Sequence, residues 1–180
     1  MWGGFLPIPI PNNVSIVEKY ITSLNPKGIL LTGGNSLVKY GGDAPEKDEV
    51  DKLLITLSID KNIPLLGFCR GMQSIADYFG CSLHNVENHI AVHHDILLDS
   101  GDVVANVNSY HKQALLEVGK PLKKLVVSAD GIIEGIRHCR KTIMGIMWHP
   151  ERENPFKKED IELFQKFFLE RKVKISHGDE

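Results

Sequence analysis

Cysteine is scarce in this chain. Three occur in 180 residues, Cys69, Cys81 and Cys139, and the odd number leaves no complete disulfide framework. A reducing, cytoplasmic setting is the expectation. Long apolar runs are missing too. None approaches the ~18 residues that cross a bilayer. The apolar start, Met1 to Pro11, has no basic region, and Pro7, Pro9 and Pro11 break the helical core of a signal peptide. Charge of one sign is not in excess. Lys and Arg number 21 against 23 Asp and Glu, for a net charge of −2. Without a basic field, binding to a nucleic-acid backbone is excluded as a main activity. Internal repeats, low-complexity tracts and linkers are absent. What remains is ordinary globular composition, which argues against disorder and coiled coils. Its length suits one domain, residues 1–180, with a substantial core.

Short apolar runs alternate with helix-period segments, the pattern of an α/β fold with parallel strands. Phe5 to Ile10 reads as a short extended segment whose prolines confine it to an edge. Val14, Val17, Tyr20, Ile21 and Leu24 recur at helical spacing, with Ser15 and Glu18 as a capping box. Gly28–Leu31, Pro64–Phe68 and Ile143–Met147 are continuous apolar runs, as buried parallel strands require. Acidic residues from Glu46 to Asp51 open a helix whose apolar face is Val50, Leu53, Leu54 and Leu57. Leu125–Ser128 and Ile132–Ile136 flank an Asp130-Gly131 turn, a hairpin signal. A last helix starts near Phe156, and the residues from Ser176 on are polar and read as frayed.

The run Gly67-Phe68-Cys69-Arg70-Gly71 joins a strand to a helix through a turn that carries a nucleophile. It is the cysteine counterpart of the Gly-x-Ser-x-Gly elbow. Small residues on either side allow strand and helix to approach. A helix N-terminus favours thiolate, and the Arg70 backbone N–H would point toward an oxyanion. A cysteine nucleophile needs a base, and the base needs an orienting group. His149 and Glu151 follow the 143–147 strand two residues apart, so their side chains can meet. Both Cys69 and His149 fall at carboxyl ends of strands, where open α/β sheets assemble their sites.

Gly67-Phe68-Cys69-Arg70-Gly71-Met72-Gln73 together with Trp148-His149-Pro150-Glu151 resembles the class I glutamine amidotransferase superfamily. The resemblance implies a three-layer α/β fold of flavodoxin-like type, with a mostly parallel central sheet flanked by helices. It implies a catalytic triad of Cys69, His149 and Glu151. Leu31-Thr32-Gly33-Gly34-Asn35 is similar to the family's oxyanion loop, with backbone donors at Gly34 and Arg70. Gln73 and the run Asn108-Ser109-Tyr110-His111-Lys112-Gln113 resemble the segments that bind the glutamyl head, which makes Gln73, Asn108, Ser109, Tyr110 and His111 candidate substrate contacts. Cys-Arg-Gly-Met-Gln, Asn-Ser-Tyr-His-Lys-Gln and Ala129–Glu134 look closest to the free-standing γ-glutamyl hydrolase branch, peptidase C26. Gly41–Glu46 and Pro150–Phe156 look most like its γ-glutamyl-CDP-amidate hydrolases. The implied substrate is a γ-glutamyl small amine or nucleotide phosphoramidate, with no cofactor. Two departures stand out. Ser36 replaces the Asp that many relatives carry after the Gly-Gly turn. The chain also opens where relatives already have a further strand and helix. The expectation is an incomplete sheet with an apolar edge beside Phe5 and Leu30, inviting homodimerisation.

The remaining candidates carry less. His89, His93, His94 and Asp95 match no strong zinc spacing, so no metal site is expected. His84, His138 and His177 read as surface or packing residues, and Cys81 and Cys139 as small hydrophobes. Arg137–Lys141 reads as a solvated turn that could instead hold an anionic leaving group. Arg70 could support a loop or contact a phosphate. Two other functions stay open: a glutaminase subunit passing ammonia to a separate synthetase, and a scaffold that does no chemistry.

Overall fold

The computed structural model describes residues 4–171. Helix α1, Val14–Leu24, opens at Asn13, whose side chain accepts from the Ser15 N–H at 3.1 Å. Asn13 therefore caps the helix in place of the expected Ser15–Glu18 box. Standing before the first helical residue, it reaches an orphan N–H that a residue already inside the helix does not. Helix α2, Pro45–Lys61, begins with proline at its first turn, where no N–H is required. Both helices end on an asparagine in the left-handed region, Asn25 and Asn62. Helix α3 is Arg70–Tyr78 and α4 is Lys158–Glu170. Phe5–Ile10 forms no strand. It lies largely exposed, with Phe5 edge-on against Phe168.

The strands are β1 (Ile29–Leu31), β2 (Leu65–Phe68), β3 (His84–Asn85), β4 (Ile90–Leu97), β5 (Val103–Tyr110), β6 (Gln113–Ala114), β7 (Leu122–Ser128), β8 (Ile133–His138) and β9 (Ile143–Ile146). Seven make one sheet in the order β1-β2-β9-β8-β7-β4-β5, and β3 pairs with β6 apart from it. The parallel part is β1-β2-β9, with Leu31 beside Gly67 and Gly67 beside Gly145. The other four pairings, from β9–β8 to β4–β5, are antiparallel, a larger share than the apolar runs announce. β2 and β9 are buried on both faces, which is why they read as continuous apolar runs, whereas the edge strand β1 leaves Leu30 exposed.

Alternation along these strands separates two cores. Leu65 and Ile143 pack under α1, α2 and α3 with Val17, Ile21, Leu54, Ile55 and Ile75. Leu66, Phe68, Met144 and Ile146 face the opposite way, onto Leu163, Phe164 and Phe167 of α4. The result is three layers, helices on both faces of the sheet. Glycines set the spacing of the α3 layer. A Cβ on Gly67 would lie 2.5 Å from the Gly71 carbonyl carbon, and one on Gly145 would lie 2.7 Å from Met72 Cγ. Among the described residues no helix is long and apolar enough to cross a membrane.

Candidate active site

Strand β2 ends at Phe68, and the chain turns at once into α3. The turn is Cys69, with φ 44° and ψ −101°. Such a left-handed, non-glycine backbone is strained and concentrates at functional sites. Its surroundings hold it there. The Cys69 N–H donates to the Ile146 carbonyl at 2.7 Å, and the Cys69 carbonyl accepts from Gln73 N–H at 3.0 Å. A Cβ on Gly71 would stand 2.3 Å from the Leu31 carbonyl oxygen, so the elbow fits only around a glycine there.

The thiol is buried, and burial is the largest influence on it, pushing its pKa up to about 12. The Arg70 backbone N–H hydrogen-bonds the sulfur and pulls the other way, as does the charge of Arg152, while Glu151 and Glu134 add to the rise. This corrects the expectation of a dipole-stabilised thiolate. α3 does begin at the sulfur, but desolvation outweighs its N–H group.

β9 lies beside β2 and ends level with it, Phe68 opposite Ile146. Three residues further on, His149 is buried, and its Nδ1 is 2.7 Å from Glu151 Oε1. Burial would raise the Glu151 carboxyl, but the His149 hydrogen bond and the backbone override it and hold it below the usual range. The oxyanion-loop residues pack on the same corner. A Cβ on Gly33 would come 3.0 Å from His149 Cε1, and one on Gly34 would come 3.2 Å from Arg70 Cδ. The Arg70 side chain itself does not reach solvent. It is 1% exposed and paired with Asp48 and Asp51 of α2, so it braces the elbow and contacts no phosphate.

A cavity of about 410 Å³ opens beside Cys69, with Gly34, Gln73, Tyr110, His111 and Gln113 on its walls. Of the expected substrate contacts, Gln73, Tyr110 and His111 line it. Asn108 and Ser109 turn inward. Asn108 Nδ2 donates to the His149 carbonyl at 2.9 Å and to Glu153 at 2.8 Å, while its Oδ1 accepts from the His149 N–H at 2.9 Å. Ser109 Oγ donates to the His89 carbonyl at 2.8 Å. The wall residues Asn35, Asp43 and Gln113 lay outside the expected contacts. Asn35 donates to Asp43 at 3.2 Å across the mouth, and Gln113 presents a buried Oε1 with no hydrogen-bond partner among the described residues. Only their neighbourhood, the Gly-rich loop and the 108–113 run, was visible in sequence.

Three layers built around this elbow define an amide-bond hydrolase of the class I glutamine amidotransferase fold. The Peptidase C26 family model matches residues 1–151, and the chain belongs to that family. It is 33% identical over 170 residues to a γ-glutamyl-CDP-amidate hydrolase of Campylobacter jejuni, covering 93% of this chain and 81% of that one. It is 33% identical over 165 residues to a subunit of the glutamine-hydrolysing GMP synthase from Methanosphaera stadtmanae, covering 87% and 82%. Among solved structures, a candidate GMP synthase subunit from Thermoplasma acidophilum superposes with a TM-score of 0.70. The identity there is 20%, over 89% of this chain and 78% of the other.

Proposed function

We propose that the protein, acting as one domain, hydrolyses the γ-amide bond of a γ-glutamyl compound through a thioester on Cys69. The observation that carries this reading is the strained elbow that sets Cys69 at the end of β2, beside the β9 extension bearing the His149–Glu151 pair. The resting nucleophile is a neutral thiol, so its proton must leave as the bond forms. The sulfur attacks the γ-carbonyl carbon and its proton passes to His149. Backbone N–H groups of Arg70 and Gly34 stabilise the tetrahedral oxyanion, each donor contributing roughly 3–4 kcal/mol. His149 returns the proton to the leaving nitrogen as the C–N bond breaks. Water, deprotonated by His149, then cleaves the thioester and releases glutamate. Glu151 orients the imidazole and stabilises its charged form.

The leaving group is an anionic amine of the nucleotide phosphoramidate type. The Arg152 guanidinium lies over the Tyr110 ring at 4.1 Å, and Tyr110 in turn stands edge-on to His149. Arg152 does not itself line the cavity, but its cation rests on the ring of Tyr110, which does, and would attract an anionic leaving group. The likeness to a γ-glutamyl-CDP-amidate hydrolase favours the same class. The second reading is a glutaminase subunit that feeds ammonia to a synthetase, favoured by the likeness to the Methanosphaera GMP synthase protein.

A glutamate-release panel of glutamine, a γ-glutamyl alkylamine and a γ-glutamyl nucleotide amidate separates the two. The amidate is expected to have the highest kcat/KM, and Cys69→Ala to lose turnover on all three. Arg152→Ala is expected to raise KM for the amidate about tenfold, the scale of one charge-assisted hydrogen bond, and to leave KM for glutamine unchanged. Glutamine as the best substrate by a wide margin would replace the hydrolase reading with the glutaminase one. Full turnover by Cys69→Ala would overturn the mechanism.

A further inference from the structure

Behind the Tyr110–His111 wall, four chain segments bring three imidazoles onto one buried carboxylate. His89 comes from the turn before β4, His94 from β4, His111 from just past β5, and Glu134 from β8. Glu134 is 0% exposed. Its Oε1 is 3.4 Å from His89 Nδ1, 3.4 Å from His94 Nε2 and 3.3 Å from His111 Nε2. We propose that His89 Nδ1, His94 Nε2 and the Glu134 carboxylate bind a divalent transition-metal cation of the Zn²⁺ type, with the His111 imidazole hydrogen-bonded to that carboxylate beside them.

The spacing suits that role. Zinc bonds of about 2.0–2.1 Å in tetrahedral array put neighbouring donor atoms roughly 3.3 Å apart. The His89, His94 and Glu134 donor atoms all lie within 4.8 Å of one another. Two imidazoles and a carboxylate are also a donor set that zinc takes.

Hydrogen-bond bookkeeping supports the same assignment. His89 Nε2 lies 3.0 Å from Asp130 Oδ2, the carboxylate–histidine pairing that fixes the tautomer of a metal ligand. With Nε2 donating to Asp130, a neutral His89 turns its Nδ1 lone pair toward the Glu134 carboxylate oxygen, a contact that only a cation or a second ring proton can bridge. Ser109 Oγ is 3.4 Å from Nδ1 but spends its proton on the His89 carbonyl at 2.8 Å. His94 Nε2 and Glu134 Oε2 are buried with no hydrogen-bond partner among the described residues. A cation held between these lone pairs answers all of them at once.

The sequence pairing of His89 with His93, His94 and Asp95 does not survive. His93 and Asp95 project from the other face of β4, toward Glu153 and Asn106. The real partners, His111 and Glu134, lie 17 and 40 residues beyond His94, too far for any spacing rule to reveal. A cation here would also anchor His111, and with it one wall of the cavity beside Cys69.

Zinc titration of the untagged full-length protein by calorimetry, after chelation and dialysis, tests this. Metal content of the protein as purified is measured alongside. One Zn²⁺ per chain is expected, with a higher Tm when loaded. His94→Gln should weaken binding at least a hundredfold, and Asp130→Asn by about 10–100-fold. His93→Gln, on the solvent side, should bind like the parent. If His94→Gln does not fold, Asp130→Asn decides. Absence of stoichiometric binding would overturn the proposal, leaving a proton-bridged histidine–carboxylate cluster. So would unchanged affinity in the folded variants, or binding abolished by Cys69→Ala but kept in His94→Gln, which would place the metal on the thiol.

Discussion

At the scale of single residues, the Cys69 thiol sits between burial, which favours its neutral form, and the Arg70 N–H, which favours thiolate. Burial prevails, lifting the pKa from 9.0 to about 12. Thiolate is the reactive form, so the free enzyme at neutral pH holds roughly a thousandfold less of it than an unperturbed thiol would. Alkylation of Cys69 by iodoacetamide is therefore expected to climb about tenfold per pH unit up to pH 10 without levelling off. Peptide mass spectrometry can follow this site apart from Cys81 and Cys139. A plateau below pH 9 would mean that the dipole wins after all. Asn108 teaches a different lesson. Its residue type and its motif were legible, but its direction was not, because strand parity depends on register with β4. It clamps both backbone groups of His149, so it is a positioning residue. Asn108→Ala should cut kcat by about a hundredfold, the usual cost of an ångström-scale misplacement, with KM nearly unchanged. A rise in KM at constant kcat would return Asn108 to the substrate-contact role.

At the scale of elements, the site depends on how closely α3 lies on the sheet. The helix starts within one residue of β2, and the Gly67 face of that strand meets Gly71 backbone in place of a side chain. Backbone cannot swing aside, so a methyl group at position 67 must push the whole helix start outward. Gly67→Ala should cost at least about 1–3 kcal/mol of unfolding free energy. It should also depress turnover more than that loss alone explains, since the helix that moves carries the Arg70 N–H. Urea denaturation and steady-state kinetics on the same preparation check both. A variant as stable and active as the parent would show that the elbow tolerates a wider gap. These elements were readable because their signals are local: apolar runs for β2 and β9, a Gly-x-Cys-x-Gly turn, acidic residues opening α2. The Phe5–Ile10 strand failed for the converse reason. Extended, proline-rich sequence fits an edge strand or a loop equally well, and only a pairing partner distinguishes them.

At the scale of the whole molecule, the α/β class was visible in the sequence, whereas the joining of three parallel strands to a four-strand antiparallel extension was not. Pairing between segments far apart in the chain leaves no local mark. The same holds for the electrostatic tie that binds the helical layer to the active corner. Arg70, from the elbow, is buried against Asp48 and Asp51 of α2. Asp51 also accepts from Ser74 Oγ at 2.8 Å and from Lys47 at 3.2 Å. In sequence those acidic residues read only as a helix start suited to the dipole. In the fold, Asp51 is nearly as buried as the guanidinium it neutralises, while the Asp48 carboxylate keeps about a quarter of its surface in water. The two positions should therefore separate sharply. Removing Asp51 takes away the buried partner of the guanidinium and leaves only the part-exposed Asp48, at a cost of about 3 kcal/mol, whereas Asp48→Ala, with solvent able to replace the lost oxygen, should cost about 1 kcal/mol or less. Because Arg70 follows the nucleophile directly, Asp51→Ala should also slow glutamate release, although Asp51 lies behind the elbow and does not line the cavity beside Cys69. Equal urea midpoints for the two variants would show that Arg70 is braced by packing alone. The turn that holds Cys69 in its strained backbone would then owe nothing to the charge of α2.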